Sequence, residues 1–451
     1  MPILPENTEL RIQETRTRRV TLLGGNLVAN TRTRQSGVSA RTLRGGLYGF
    51  ASDADTDDAA VQRVLKAAAD NAAFLDTRVA RTSPPLPVPA GLSYTRTADE
   101  TDAAQSEYLD FARAIDAYIA QKYPDLAGRI VSVAADRYHK RVYTDFGTVS
   151  ESLQPRCYAY VFLTANTADG STVELYEVYG AGGTLRENFA APADLFPEVD
   201  KLYEQLRRKA EGIYPDAGGH TVVLAPKLAG MLAHEAVGHT CEADLVLAGS
   251  VAGDNLGKSV ASELVSLVDF AHTCHDGSPA PLPVFVDDEG VAASDAVLIE
   301  NGILRGYMHS RESAQHYGAQ PTGNARAFAY SDEPLIRMRN TAILPGTAKC
   351  ADMIAGVERG YYLTETNNGQ ADTTGEFMFG VCMGYEIVHG KLGRALRDTT
   401  ISGVAFEMLK TVDALSDDFE WVSSGFCGKK QLMPVGCGGP AVRCRVNIGG
   451  R

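Results

Sequence analysis

No two cysteines of this 451-residue chain are spaced C-x-x-C, although there are eight: Cys157, Cys241, Cys274, Cys350, Cys382, Cys427, Cys437 and Cys444. No local pair stands out, and in a reducing compartment most such residues are small buried apolar groups. Missing too is any apolar run long enough to cross a bilayer as a helix. The opening stretch, MPILPENTELRIQETRTRRV, is charged throughout and has no apolar h-region, so it does not read as a signal peptide. These absences make the cytoplasm the expected address and leave no membrane among the expected partners. Basic residues are in deficit: 43 Lys and Arg against 56 Asp and Glu give a formal charge of −13. A nucleic-acid or anionic-membrane surface needs clustered Lys and Arg, so no nucleic acid is expected as a partner either. The short cluster Arg207-Arg208-Lys209 reads as the solvated face of a helix.

What remains has the composition of an ordinary globular protein, 44% hydrophobic and 22% charged. The length exceeds one compact core. RRVTLLGGNLVANT predicts a hairpin turning at Gly24-Gly25-Asn26. DDAAVQRVLKAAADNAAFL and DAAQSEYLDFARAIDAYIAQKY carry apolar residues at helical spacing, and a third helix is predicted in FPEVDKLYEQLRRKAEGIY. PDAGGH, 215 to 220, is the candidate boundary. It divides an N-terminal α+β domain, 1–218, from a C-terminal one, 219–451, that is rich in strands. Beyond it TVVLAP reads as a buried strand, Pro226 can open a helix, and KLAGMLAHEAVGHTCEADLV continues it. Hairpins follow at Asn301-Gly302 and near His389-Gly390. The fold class is α+β, with mostly antiparallel, barrel-like packing in the second half.

The informative stretch is HEAVGH, 234 to 239. The zinc-peptidase signature H-E-x-x-H places two histidines four apart on one helix face, with a glutamate beside the first. His234 and His239 are five apart. A regular helix turns about 100° per residue, so a five-step separation leaves side chains about 140° apart, too far to share an ion. A π-turn absorbing one residue would bring them together; so would unwinding at Gly238. The plainer reading is two capping or core histidines. Against it stands the apolar lead-in LAGMLA, which makes the helix a buried one whose His, Glu and His need partners. Glu242 and Asp244 are either groups that orient the imidazoles or exposed acids. A third ligand is required. Cys241 and Glu242 are local candidates, while Cys427 lies far away in the Gly/Ser-rich SSGFCGKKQLMPVGCGGP, where lysines would favour a thiolate. Cys437 and Cys444 are its rivals.

LAHEAVGHTCEADLV together with GFCGKK…PVG…GGP resembles the TldD/PmbA family, specifically its TldD-type catalytic member. SGVSARTLRGGLYGFAS, VDDEGVAASDAVLIENGILRGYMHSRESA, TGNARA, PLIRMRNTAILPG and TTGEFMFGV fit the same pattern in the same order. One departure is local: relatives read C-G-K-x-G-Q, whereas Cys427-Gly428-Lys429-Lys430-Gln431 drops a glycine. The resemblance implies a metallopeptidase with one metal, zinc or else Fe2+, held by His234, His239 and Cys427, and with Glu235 as general base. It also implies a peptide or unfolded-protein substrate, and a homodimer or a heterodimer with a TldE/PmbA-type chain. His316, Tyr317, Arg326 and Tyr330 are candidates for stabilising the oxyanion. Two other readings stay open: a non-catalytic regulatory scaffold of the DNA-gyrase-modulator kind, and a hydrolase using Cys427 as nucleophile.

Overall fold

A computed structural model describes residues 3–79, 84–97 and 103–449. The first half is built on one large sheet. Strands β1 (Thr8–Leu23), β2 (Asn26–Arg44), β3 (Leu47–Asp53), β4 (Ser93–Arg96), β5 (Gly128–Thr144) and β6 (Val149–Asn166) lie in the order β3-β2-β1-β5-β6-β4. β7 (Thr172–Gly182) adds to β6. The β1–β2 hairpin turns through Gly24 and Gly25, both at positive φ, as the sequence predicts. Helix α1 (Asp58–Asp76) is capped by the Asp57 carboxylate, which accepts from the Ala60 N–H. Its buried Val61, Val64, Leu65 and Ala68 join Leu10, Val38 and Ala40 of the sheet. Helix α2 (Gln105–Lys122) buries Tyr108, Phe111, Ile115 and Ile119 with Val20, Leu22, Val131 and Val133. Side chains alternate across a strand, so Arg11 and Gln13 leave the opposite face. They donate to the carbonyls of Phe328, Ala329, Tyr330 and Asp332, tying the sheet to the second half of the chain.

Helix Phe196–Ala210 corrects one expectation. Arg207 and Arg208 are exposed, but Lys209 is fully buried, its Nζ donating to the Glu174 carbonyl and to Asp398 at 2.7 Å each. A run of three charges on a helix spans most of a turn, so one of them faced the core and found acceptors there.

The second half contains a closed five-stranded barrel. β8 (Gly218–Leu224) pairs with strand Val442–Ile448, and the ring continues through Thr399–Val404, Glu376–Val388 and Arg359–Ala371 back to β8. Beside it lies a six-stranded mixed sheet that includes Leu267–Phe270, Asn340–Ile343 and Gly436–Gly439. Asn301-Gly302 and His389-Gly390 turn their hairpins at positive φ, as predicted. The α+β class and the strand-rich second half are those expected from the sequence. Between barrel and sheet runs the helix that carries HEAVGH.

Candidate metal centre

Pro226 opens helix Pro226–Leu232, where its missing N–H costs nothing. From Ala233 to Gly238 the chain winds as a π-turn, and the His239 N–H bonds to the His234 carbonyl five residues back. Of the two devices that could bring the histidines together, this is the one present. Gly238 stays helical (φ −54°) and serves closeness instead, since a Cβ there would overlap the Met338 sulfur. Gly238→Ala is expected to cost about 1–3 kcal/mol by overpacking, measurable as a lowered urea midpoint. The continuous helix expected through Val246 does not form. After a short 3-10 turn, His239–Cys241, Glu242 is extended and a new helix begins at Ala243. Ala233, Ala236 and Val237 face the core and hold the turn against it.

His234 is 1% exposed, and neither of its ring nitrogens has a hydrogen-bond partner among the described residues. Its ring lies 5.3 Å from that of His239 at 76°. One ligand atom from each of His234, His239 and Cys427 falls within 4.8 Å of the other two. The Cys427 sulfur is 3.1 Å from His239 Nε2. Glu235 faces both rings, 4.0 Å from His234 Nε2 and 3.7 Å from His239 Nε2. Burial pushes the Glu235 carboxyl above its ordinary pKa, with His239 opposing the shift. Burial, then the neighbouring His239 and Arg337, drives His234 well below 6.5. For His239 burial also pulls down, but the contacts with Cys427 and Glu242 prevail and raise it to about 10. Glu242, fully buried, sits 2.9 Å from His239 Nδ1, the place of an orienting carboxylate.

Cys427 arrives on a hairpin, Phe426–Lys429 with Gln431–Pro434, in which Cys427 pairs with Met433. The hairpin is tied down by residues the sequence reading passed over. Arg337, fully buried, donates to the carbonyls of Cys427 (2.8 Å), Gln431 (2.6 Å) and Lys429 (3.3 Å). Lys429 directs its ammonium to both oxygens of Asp244 and to the Ile336 carbonyl, so it braces hairpin against helix. Asp244 is therefore not a lone exposed acid. A fully buried arginine in RMR has no signature in one sequence; only a count of backbone acceptors finds it.

Cys241, Cys437 and Cys444 are buried and outside the group of converging ligand atoms. Arg326 donates to the carbonyls of Met338 and Pro434, and the Tyr330 ring covers Gly37. His316 and Tyr317 pack in an aromatic group with Tyr307 and His309. None of the four oxyanion candidates lines the cleft at Glu235. In that aromatic group burial pulls His309 from 6.5 to about 4. Between those values the unfolded chain binds the proton and the folded one does not. The stability tied to neutral His309 is thus complete above pH 6.5 and is lost as pH falls toward 4. Wild type is expected to lose about 3 kcal/mol more than His309→Gln between pH 7 and pH 4, read by urea unfolding at each pH.

A cleft of about 550 Å³ opens over Glu235 and His239. Leu245, residues 369–373, Phe426 and Lys429 line it. Residues 217–450 match the family model described as the PmbA/TldA metallopeptidase C-terminal domain, and 8–72 match its domain 1. A metalloprotease of Methanothermobacter thermautotrophicus is 32% identical over 98% of this chain and 94% of its own length. A zinc metalloprotease TldD homolog of Saccharolobus solfataricus is 33% identical over 57% of each chain. Among solved structures, a Thermotoga maritima protein with the provisional designation of DNA gyrase modulator superposes with TM-score 0.76 at 19% identity, covering 98% and 96% of the two chains. TldE of Thermococcus kodakarensis gives 0.74 at 17% over the same shares. These two establish the shared fold.

Proposed function

The chain belongs to the PmbA/TldD family of metallopeptidases, and we propose that it hydrolyses peptides or unfolded segments with His234, His239 and Cys427 holding one divalent cation and Glu235 as general base. One observation carries the ligand set: a wholly buried imidazole with two unpartnered nitrogens faces a second imidazole and a sulfur within 4.8 Å. Leaving such groups unanswered costs free energy that a cation would recover. Two nitrogens and a thiolate suit zinc, and ferrous iron is compatible by ligand type. The bound ion would supply the positive charge that acidifies a water molecule and polarises the scissile carbonyl. Glu235, which faces both rings from the cleft, takes the proton of that water and hands it to the departing amine nitrogen. Glu242 fixes the His239 ring so that Nε2 points at the centre.

We propose the domain boundary at 218/219, one residue into β8, the first strand of the barrel. The partner is proposed as a second copy or a TldE-type chain, in keeping with the TldE neighbour. Metal analysis of the purified chain tests the reading. About one equivalent of zinc or iron is expected, lost in His234→Ala and Cys427→Ser. A chain without metal whose hydrolysis ignores chelators but stops on alkylation would establish the cysteine-nucleophile reading instead.

A further inference from the structure

The cleft over the proposed metal centre, about 550 Å³, is of a size that takes a small ligand or a peptide side chain. Its charged groups are mostly engaged. Lys429 holds both oxygens of Asp244 at 2.9 and 2.8 Å and lies 3.3 Å from Glu242. One oxygen of Asp372 accepts from the Thr374 N–H and hydroxyl and from the Glu376 N–H. His239 is turned to Glu242 and Cys427. An acidic substrate side chain would therefore meet Glu235 and Asp372 without a free cation to answer it.

The apolar groups are the ones left open. Phe426, next to the proposed ligand Cys427, lines the cleft and is 44% exposed. Its ring is nonetheless held in place. The buried guanidinium of Arg156 lies 4.8 Å from its centroid, and Phe328 meets it edge-on at 6.1 Å and 88°. Arg156 is itself fixed by two hydrogen bonds to the Asp136 carboxylate, 2.8 and 2.5 Å. A ring fixed in advance loses little freedom when a ligand covers it. Leu245, on the helix that begins at Ala243, lines the same cleft. So does Gly428, a glycine that the fold does not require. Its φ is not positive, and a Cβ there would have no atom within 4 Å beyond its chain neighbours. Gly369 differs, because a Cβ there would overlap the Phe379 ring. Packing explains Gly369; what Gly428 provides is room beside the centre.

We propose that the cleft selects peptides with a bulky apolar side chain, leucine- or phenylalanine-like, beside the scissile bond. That side chain covers Phe426 and Leu245, and Gly428 keeps the passage for the substrate chain open. The position of cleavage rests on the metallopeptidase reading; the apolar subsite does not.

Peptides Ala-Ala-X-Ala-Ala, with X as Leu, Phe, Gly, Lys or Glu, test it. Binding is measured by calorimetry on the full chain carrying Glu235→Gln in excess zinc, which keeps the peptide intact. The Leu and Phe peptides should bind about tenfold or more tightly than the Gly peptide, the scale set by filling an apolar pocket. The Glu peptide should bind no better than the Gly peptide. Adding Phe426→Ala or Leu245→Ala should shrink the Leu-to-Gly ratio to about threefold or less. Adding Gly428→Val should weaken every peptide without lowering the urea midpoint. The wild type should cut beside X, with kcat/KM for Leu about tenfold or more above that for Gly. Equal affinity for Leu and Gly, tightest binding of Lys or Glu, or a preference that survives both Phe426→Ala and Leu245→Ala would overturn the subsite. Undiminished binding to Gly428→Val would overturn the part given to that residue. Discrimination in binding with no cleavage by the wild type would leave the subsite standing while the metallopeptidase reading fails. Cleavage without discrimination would do the reverse.

Discussion

Glu235→Gln is expected to lower peptide hydrolysis by about 10²- to 10⁴-fold, the usual contribution of a positioned general base, while leaving bound metal and fold unchanged. Glutamine has the shape of glutamate and can still face His234 Nε2 and His239 Nε2, which lie 4.0 and 3.7 Å from the carboxylate. It cannot accept the proton. The proposed ligands come from other residues, so metal content should match wild type by elemental analysis. The acid side of the pH profile sharpens the test. A base must be ionised to act, so wild-type kcat/KM should fall on the acid side as the Glu235 carboxylate takes up a proton. Residual turnover of Glu235→Gln should lack that limb. Turnover within a few-fold of wild type would remove Glu235 from its role.

Arg337→Met carries the second large effect, on metal affinity and stability together. The guanidinium holds the carbonyls of Cys427, Gln431 and Lys429 in the interior. A buried acceptor left without a partner costs about 1–3 kcal/mol, so three should cost about 3 kcal/mol or more. Methionine fills much of the volume, which limits the cavity contribution. The hairpin positions Cys427, and groups that support metal ligands are worth about 10- to 100-fold in affinity. A competitive zinc titration should show that weakening in folded Arg337→Met. Arg337→Lys keeps the charge but cannot fork to three carbonyls, so it should recover little of either property. If Lys restores both, charge rather than geometry is what Arg337 contributes.

How much of this was legible beforehand follows the range of each interaction. The three hairpin turns at Gly24-Gly25, Asn301-Gly302 and His389-Gly390 were readable because positive φ is a local demand with a local residue code. Helices α1 and α2 were readable because their buried faces repeat at helical spacing. The spacing of His234 and His239 implied that the helix must depart from regularity, and left the π-turn and an unwound Gly238 as alternatives. The structure takes the π-turn and keeps Gly238 helical, packed against Met338 from a hundred residues along the chain, a neighbour that no local pattern encodes. Lys209 turns inward for the same reason, since its acceptors, Glu174 and Asp398, lie far from it along the chain.

By itself, then, the sequence determined the kind of chemistry on offer and the local bends: imidazoles and a carboxylate on a buried turn, strands closed by glycine-coded hairpins, and a family likeness running the length of the chain. The family likeness already pointed to Cys427; tertiary structure alone decided which arginine holds its strand and where Lys429 directs its charge. The reason is physical. Backbone preference and periodicity act over a few residues and leave a trace in the string, whereas convergence of side chains separated by nearly two hundred positions is set by barrel closure and packing, which no short window records.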